Sequence, residues 1–284
     1  GFAYERGRDT RETVEYMLNA QAQLNYSRFD RANHFFDAGK ELELGERVAV
    51  HHGSDSGTYD SKACFIKAIE LDPVPAGYYQ RLMFELMLNG NETIAINTAK
   101  GRLELNARAC GLKVLQADPS SSDVFECLGK TFAPGEHSID VLLGRKGSTP
   151  IRAALTEQDC YLRALELNKN NALAYFGLGK TLPNLTAKIK APVPGIFPGT
   201  KRSFNKIECF TKALALDCRD PSVFYHLGIA MESSGLECVR VGTNSIRVDE
   251  CYETAYALRA MLPPNEQADV QARFVATMLR IRMH

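Results

Sequence analysis

The side chains with most chemistry to offer are eight cysteines and six histidines in 284 residues. Paired thiols form disulfides, clustered thiols and imidazoles hold zinc, and a thiol beside an imidazole is a nucleophile. The spacing points away from all three. Cys64, Cys110, Cys160, Cys209 and Cys251 stand 46, 50, 49 and 42 residues apart, each at the head of the same kind of phrase. Repeat-spaced cysteines on an apolar face are small hydrophobes packed between helices. They lie too far from one another to bridge. Cys127, Cys218 and Cys238 have no CxxC partner, so no zinc site is expected. His34, His51, His52, His137, His226 and His284 fall in no nucleophile–base motif. Gly144-Arg-Lys-Gly-Ser-Thr149 looks like a phosphate loop, but it lacks the Gly-Lys-Ser/Thr order and precedes no helix. No catalytic residue, cofactor or metal is assigned, and the chain reads as a non-enzyme.

The elements that place those cysteines repeat with them. Counting from each cysteine, apolar residues fall at 0, +1, +4, +5 and +7, as in Cys64-Phe65, Ala68, Ile69 and Leu71, which makes one helical stripe. Ala68, Ala164, Ala213 and Ala255 at +4 let another helix come close. Asp72, Asp118, Asn168 and Asp217 follow at +8, with Pro73 and Pro119 next, and stop the helix. A second helix begins beyond: Tyr79, Phe125, Tyr175 and Phe224 are each followed three residues on by Leu, then by Met83, Gly129, Gly179 or Gly228. A mid-helix glycine costs about 1 kcal/mol. Its recurrence predicts a helix crossing too tight for a β-carbon.

The aromatic–x–x–Leu–Gly helix and the Ala–Leu–x–Leu–Asp–Pro phrase together resemble the tetratricopeptide repeat, over residues 14–282. The family's period is about 34 residues, and every period here is longer. The extra residues lie between the two helices. They alternate as strands do about a turn, as in Thr93-Ile-Ala-Ile96 leading to Leu103-Glu-Leu105, and Cys238-Val-Arg-Val241 leading to Ile246-Arg-Val248. Tyr59, Leu105, Leu155 and Phe204 close four hairpins, and Asp60, Asn106, Thr156 and Asn205 are ready N-caps for the helix after. The expected unit is helix A, β-hairpin, helix B. The fold class is mainly α: a right-handed tetratricopeptide-like solenoid with about five inserted hairpins, expected side by side in a shared β layer. A single array would fill 1–284. It has an N-terminal helix at 10–30, repeats at 31–72, 73–118, 119–168, 169–217 and 218–262, and a closing helix at 263–284.

Composition bounds the function. The formal net charge is zero, unlike the basic excess of a general nucleic-acid binder. No apolar run reaches the roughly 20 residues of a membrane span. Free-cysteine usage fits an intracellular, reducing compartment; cytoplasm, flagellum and organelle matrix are not distinguished. The sequons at Asn25, Asn91 and Asn184 read as chance matches. A start at Gly1 suggests processing or a piece of a longer array.

What remains is surface. The resemblance implies partner binding along the groove lined by helices A, where one row reads Lys40, Phe84, Lys130, Lys180 and Ile229. Three lysines there suit an acidic or C-terminal peptide. The asparagines of a chaperone-binding clamp are missing. The fourth hairpin is basic at Lys188, Lys190, Lys201 and Arg202, beside Phe197 and Phe204, and is a second candidate surface. The expected function is a scaffold or adaptor for protein partners with acidic segments. It would work inside a flagellar, ribosomal or trafficking assembly, without membrane or small-molecule substrate. The alternative is an RNA-binding helical-repeat protein of an organelle or ribosome.

Overall fold

The computed structural model describes residues 14–16, 18, 19, 27–43, 45–51, 55–88, 92–145, 148–193 and 200–282. Most of the N-terminal helix expected at 10–30 lies outside the described residues, as do His52, Phe197 and the turn at 194–199. The chain is mainly helical with two-stranded hairpins. Helix α1 (Arg28–Glu41) is followed by β1 (Val48–Val50), β2 (Gly57–Tyr59) and α2 (Ser61–Leu71). Next come α3 (Ala76–Leu88), β3 (Ile94–Thr98), β4 (Gly101–Leu105) and α4 (Ala107–Ala117). Then follow α5 (Ser122–Lys130), β5 (Ile139–Arg145), β6 (Ser148–Leu155) and α6 (Glu157–Leu167). After these run α7 (Ala172–Thr181), β7 (Ile189–Pro192), β8 (Lys201–Phe204) and α8 (Lys206–Ala215). The last set is α9 (Pro221–Ser234), β9 (Cys238–Val241), β10 (Asn244–Arg247), α10 (Val248–Ala257) and α11 (Pro264–Arg282). The chain groups into two compact units. One comprises Gly1–Pro119 with Asp140–Ala153, the other Ser120–Ile139 with Ala154–His284.

Local chemistry explains the boundaries. Asp60, Asn106, Thr156 and Asn205 each accept a hydrogen bond from the third amide of the helix they open, at 2.8, 2.9, 3.1 and 2.9 Å. Such a cap contributes about 1 kcal/mol. Arg247 has no capping oxygen. There the Glu250 carboxylate reaches back to accept from the Arg247 amide at 2.8 Å. Asp72, Asp118 and Asn168 leave their helices in extended conformation. Helix α8 differs: it stops at Ala215, and Asp217 turns left-handed at φ 61°.

The strands pair within each hairpin and not between hairpins. Val48 faces Tyr59, Ile94 faces Leu105, Ile189 faces Phe204 and Val239 faces Ile246. Among the described residues the sheets are separate and two-stranded, so the expected shared β layer does not form. Each hairpin instead turns one face inward. β3 lies against α2 in the first unit; β7 lies against α6 and β9 against α8 in the second. Val48, Val50, Ile96, Leu105, Val141, Ala191 and Phe204 are buried as a result. Phe35 packs on Tyr59 at 4.9 Å and Tyr175 on Phe204 at 5.5 Å between ring centroids.

The recurrent glycines mark ring contacts. A β-carbon on Gly39 would lie 2.8 Å from the Phe65 ring, one on Gly129 2.5 Å from Tyr161, one on Gly179 2.5 Å from Phe210 and one on Gly228 2.8 Å from Tyr252. In each case the ring is the residue just after the repeat cysteine. The second repeat exchanges the sizes: Met83 stands in the glycine's place on α3, Gly111 in the ring's place on α4, and both are buried. Volume at the crossing is thus kept while its source moves from one helix to the other.

Candidate partner-binding faces

In the second unit the expected lysine row lies on α5, α7 and α9, and each lysine has carboxylates of its own chain nearby. On α5, Lys130 Nζ is 2.6 Å from Glu126 Oε1, one turn earlier. Glu126 is 4% exposed. Burial alone would lower the Lys130 pKa, but the Glu126 carboxylate outweighs it and the net shift is upward. On α7, Lys180 rests over the Phe176 ring at 5.5 Å. It also attracts two carboxylates from other helices, Glu157 of α6 and Glu266 of α11. On α9, Ile229 packs against the apolar cluster of Tyr225, Tyr252, Ala255, Leu262 and Val270. Its neighbour His226 lies among the Phe176, Phe210 and Tyr225 rings and holds Glu266 Oε1 at 3.2 Å.

Tyr161 forms part of the floor between α5 and α7. Its ring lies against both Gly129 and Gly177, so both glycines are needed for one side chain to fit. Burial pushes its phenol up, helped by Glu157 and Glu126. Burial also raises the Glu157 carboxyl, against Lys180 and the Tyr161 hydroxyl. The face therefore carries Glu126, Glu157 and Glu266 among Lys130, Lys180 and His226. Of these, only Lys130 and Lys180 were read from the sequence as members of this face. The α5 pair carries a Glu-to-Lys signal four residues apart, but nothing in the chain order brings Glu266 to Lys180.

In the first unit, Lys40 lies 2.7 Å from Asp37 and 4.8 Å above the Phe36 ring. Phe36 is held by Phe65 at 5.8 Å and Tyr78 at 4.8 Å. Phe84 is half-buried on α3. Sequence reasoning also missed a clamp at the first hairpin: Asp55, nearly buried, meets Arg31 Nε at 2.9 Å and Lys67 Nζ at 3.2 Å, tying the loop to α1 and α2.

The fourth hairpin divides its cations. Lys188 and Lys190 are exposed and make no ion pair among the described residues. Lys201 lies 3.7 Å from Glu166 and Arg202 3.1 Å from Glu208. The Arg202 guanidinium covers Phe204 at 5.3 Å, and Phe204 is buried, so it offers no stacking surface. The sequence resemblance to a phosphate loop dissolves at Gly144. A β-carbon there would collide with the Gln116 carbonyl oxygen, so this glycine serves a close backbone approach.

The cysteine chemistry follows its burial. Cys64, Cys110, Cys160, Cys209 and Cys251 are 0% exposed. Burial pushes the Cys64, Cys110, Cys209 and Cys251 thiols up to about 12, which removes the thiolate needed for attack at neutral pH. Cys238 is exposed. Among the described residues no three His, Cys, Asp or Glu side chains are placed to hold a metal ion. No helix there is long and apolar enough to cross a membrane.

No protein-family model matches this chain, and no curated protein matches it. Several solved structures align with it, two of them titled as MamA. The one titled "Crystal structure of MamA" is 15% identical with a TM-score of 0.35, covering 76% of this chain and 90% of that one. The one titled "Crystal structure of MamA protein" is also 15% identical with a TM-score of 0.35, covering 88% and 92%.

Proposed function

We propose that the chain is a non-enzymatic scaffold of the tetratricopeptide type, carrying a β-hairpin between the two helices of each repeat and binding protein partners within a larger assembly. The carrying observation is a side-chain pair that recurs on helix A in both units. Lys40 stands over Phe36, and Lys180 over Phe176, each an exposed residue four positions beyond its ring. A cation held on an aromatic shelf is ordered before a ligand arrives, which reduces what binding must cost.

The partner is an acidic segment. In the second unit its carboxylates would compete with Glu126, Glu157 and Glu266 for Lys130 and Lys180, with Ile229 as an apolar contact; in the first they would compete with Asp37 for Lys40, with Phe84 as an apolar contact. Exchange of one carboxylate for another gives register and specificity more than raw affinity. The basic hairpin adds a separate contact through Lys188 and Lys190, while Lys201 and Arg202 must first leave Glu166 and Glu208. That division supports a protein partner over RNA, whose phosphates need several free cations along one track. The free buried thiols fit an intracellular, reducing compartment.

The test is affinity capture followed by binding of the purified partner to the wild type and to Lys130→Glu/Lys180→Glu. At least tenfold weaker binding is expected with the native circular dichroism kept, although the unfolding midpoint falls, because Lys130 neutralises the nearly buried Glu126 and Lys180 attracts Glu157 and Glu266. Unchanged binding would move the partner surface off the A-helix row. A preference for RNA over the captured protein, steep in salt, would favour the nucleic-acid reading.

A further inference from the structure

Beneath the fifth hairpin lies a cavity of about 500 Å³, wholly within the second unit and lined by Leu214, Phe224, Val241, Ile246, Ser245 and Leu258 among others. The corresponding place is closed elsewhere. Ile69 with Tyr79, Ile96 and Leu105 of the second repeat, and Leu165 with Tyr175, Ala191 and Phe204 of the fourth, are all buried. Their counterparts Leu214, Phe224, Val241 and Ile246 are half-buried. Helix α8 also stops early at this place. Helices α2 and α6 run on to Leu71 and Leu167, whereas α8 ends at Ala215 and Asp217 turns left-handed.

The cavity also runs along a strand edge. Ser245 and Ile246 are successive residues of β10, so their side chains point to opposite faces. A space lined by both wraps round the edge of the strand. The ladder register says which backbone groups face it. Ile246 pairs with Val239 and Asn244 with Val241, and the Val248 amide donates to the Glu237 carbonyl at 3.2 Å. Residues 244, 246 and 248 therefore direct their peptide groups to β9, and those of Ser245 point out to the open edge. No third strand covers that edge among the described residues.

We infer that an extended segment of a partner protein adds to the β10 edge, exchanging backbone hydrogen bonds with Ser245 and setting one apolar side chain of leucine or phenylalanine size among Leu214, Phe224 and Leu258. Strand addition of this kind takes affinity from the backbone and specificity from the pocket. A volume of about 500 Å³ is within the usual range of binding pockets. The site is distinct from the lysine row and stands whether or not that row binds acid.

A phage-displayed library of random linear peptides panned on the folded chain supplies the probe. Enriched peptides are then measured by fluorescence anisotropy against the wild type, Ser245→Pro, Thr254→Phe and Lys130→Glu/Lys180→Glu. Proline removes only the outward amide and is tolerated on edge strands. Phenylalanine at 254, another lining position, fills the cavity. Peptides carrying an apolar anchor should bind at least tenfold more weakly to the first two variants and unchanged to the lysine variant. Circular dichroism checks that each variant folds. If Thr254→Phe does not, Ser245→Pro and amide exchange decide: bound peptide should protect the Ser245 amide. Failure to enrich any peptide, equal binding to Ser245→Pro, or no protection at Ser245 overturns the inference.

Discussion

Glycine-to-alanine changes at Gly179 and Gly77 should move stability in opposite directions. Both residues lie in A-type helices, and in each the added methyl favours the helix, by up to about 1 kcal/mol in a helix interior. Space decides the sign. At Gly77 the new β-carbon meets only the Phe36 ring tip, at 3.6 Å, an ordinary contact. At Gly179 it would lie 2.5 and 2.7 Å from Phe210 ring carbons and 3.1 Å from the Cys209 β-carbon. Carbon atoms prefer roughly 3.5–4.0 Å. Phe210 has no room to swing, because it is 1% exposed and packed at 5.7 Å from Phe176 and 6.2 Å from His226. Overpacking of this kind costs about 1–3 kcal/mol. Set against the helix gain, Gly179→Ala should lose about 1 kcal/mol, while Gly77→Ala gains about 0.5 kcal/mol, less than an interior site because it is the second residue of α3. Urea unfolding followed by far-ultraviolet circular dichroism reads both as midpoint shifts. Adding Phe210→Leu should return part of the Gly179→Ala loss. The second repeat supplies the mirror experiment: Gly111→Phe should be worse alone than on Met83→Gly, with a coupling of at least about 1 kcal/mol. A Gly179→Ala midpoint above the wild type would refute the crossing argument.

Two further outcomes follow from burial and charge. Native thiol labelling should modify Cys238 quickly and leave Cys64, Cys110, Cys209 and Cys251 slow until denaturant is added; fast modification of those four would contradict the core assignment. Acid should loosen the docking of α11. Burial raises the Glu266 carboxyl, but His226 and Lys180 outweigh it and hold it below its ordinary 4.5; Tyr225 and Arg273 likewise hold Asp269 below 3.8. A depressed carboxylate stabilises the fold fully above its unfolded pKa and loses that as pH falls through the lower folded value. The midpoint should therefore drop below about pH 4.5, less steeply in Glu266→Gln/Asp269→Asn, and equal slopes would remove these groups from the account.

Much of this was legible from the residues. Four caps were, because an Asp, Asn or Thr before an apolar stripe has one good use. The glycines were, because their cost recurs and the ring after each cysteine recurs with it. The strand pairs were, because β-branched alternation fixes the inward face. The early stop of α8 was not. Pro73 and Pro119 force extended residues before them, but Asn168 leaves its helix extended without a following proline, so the lack of one after Asp217 predicted nothing. The company of the lysines was also hidden. Glu266 and Lys180 are far apart in sequence, and only the packing of α11 brings their charges together.

The first four hairpins belong to the core. Val48, Ile96, Val141 and Ala191 are 0% exposed on their inner faces, at about 25 cal/mol per Å² of apolar surface removed from water. Cutting out a whole hairpin would uncover the preceding B helix, as β3 covers α2 and β7 covers α6. A deletion that abolished binding would then show only that the repeat had been opened. The parts free to differ without that penalty are the outward residues, the turns and the strand edges, and there the hairpins do differ. The fourth carries exposed Lys188 and Lys190, while the fifth leaves β10 bordering an open cavity. Partner contacts are accordingly to be sought with substitutions that leave the inner faces intact, such as Ser245→Pro at an outward amide, rather than with truncations that remove core and surface together.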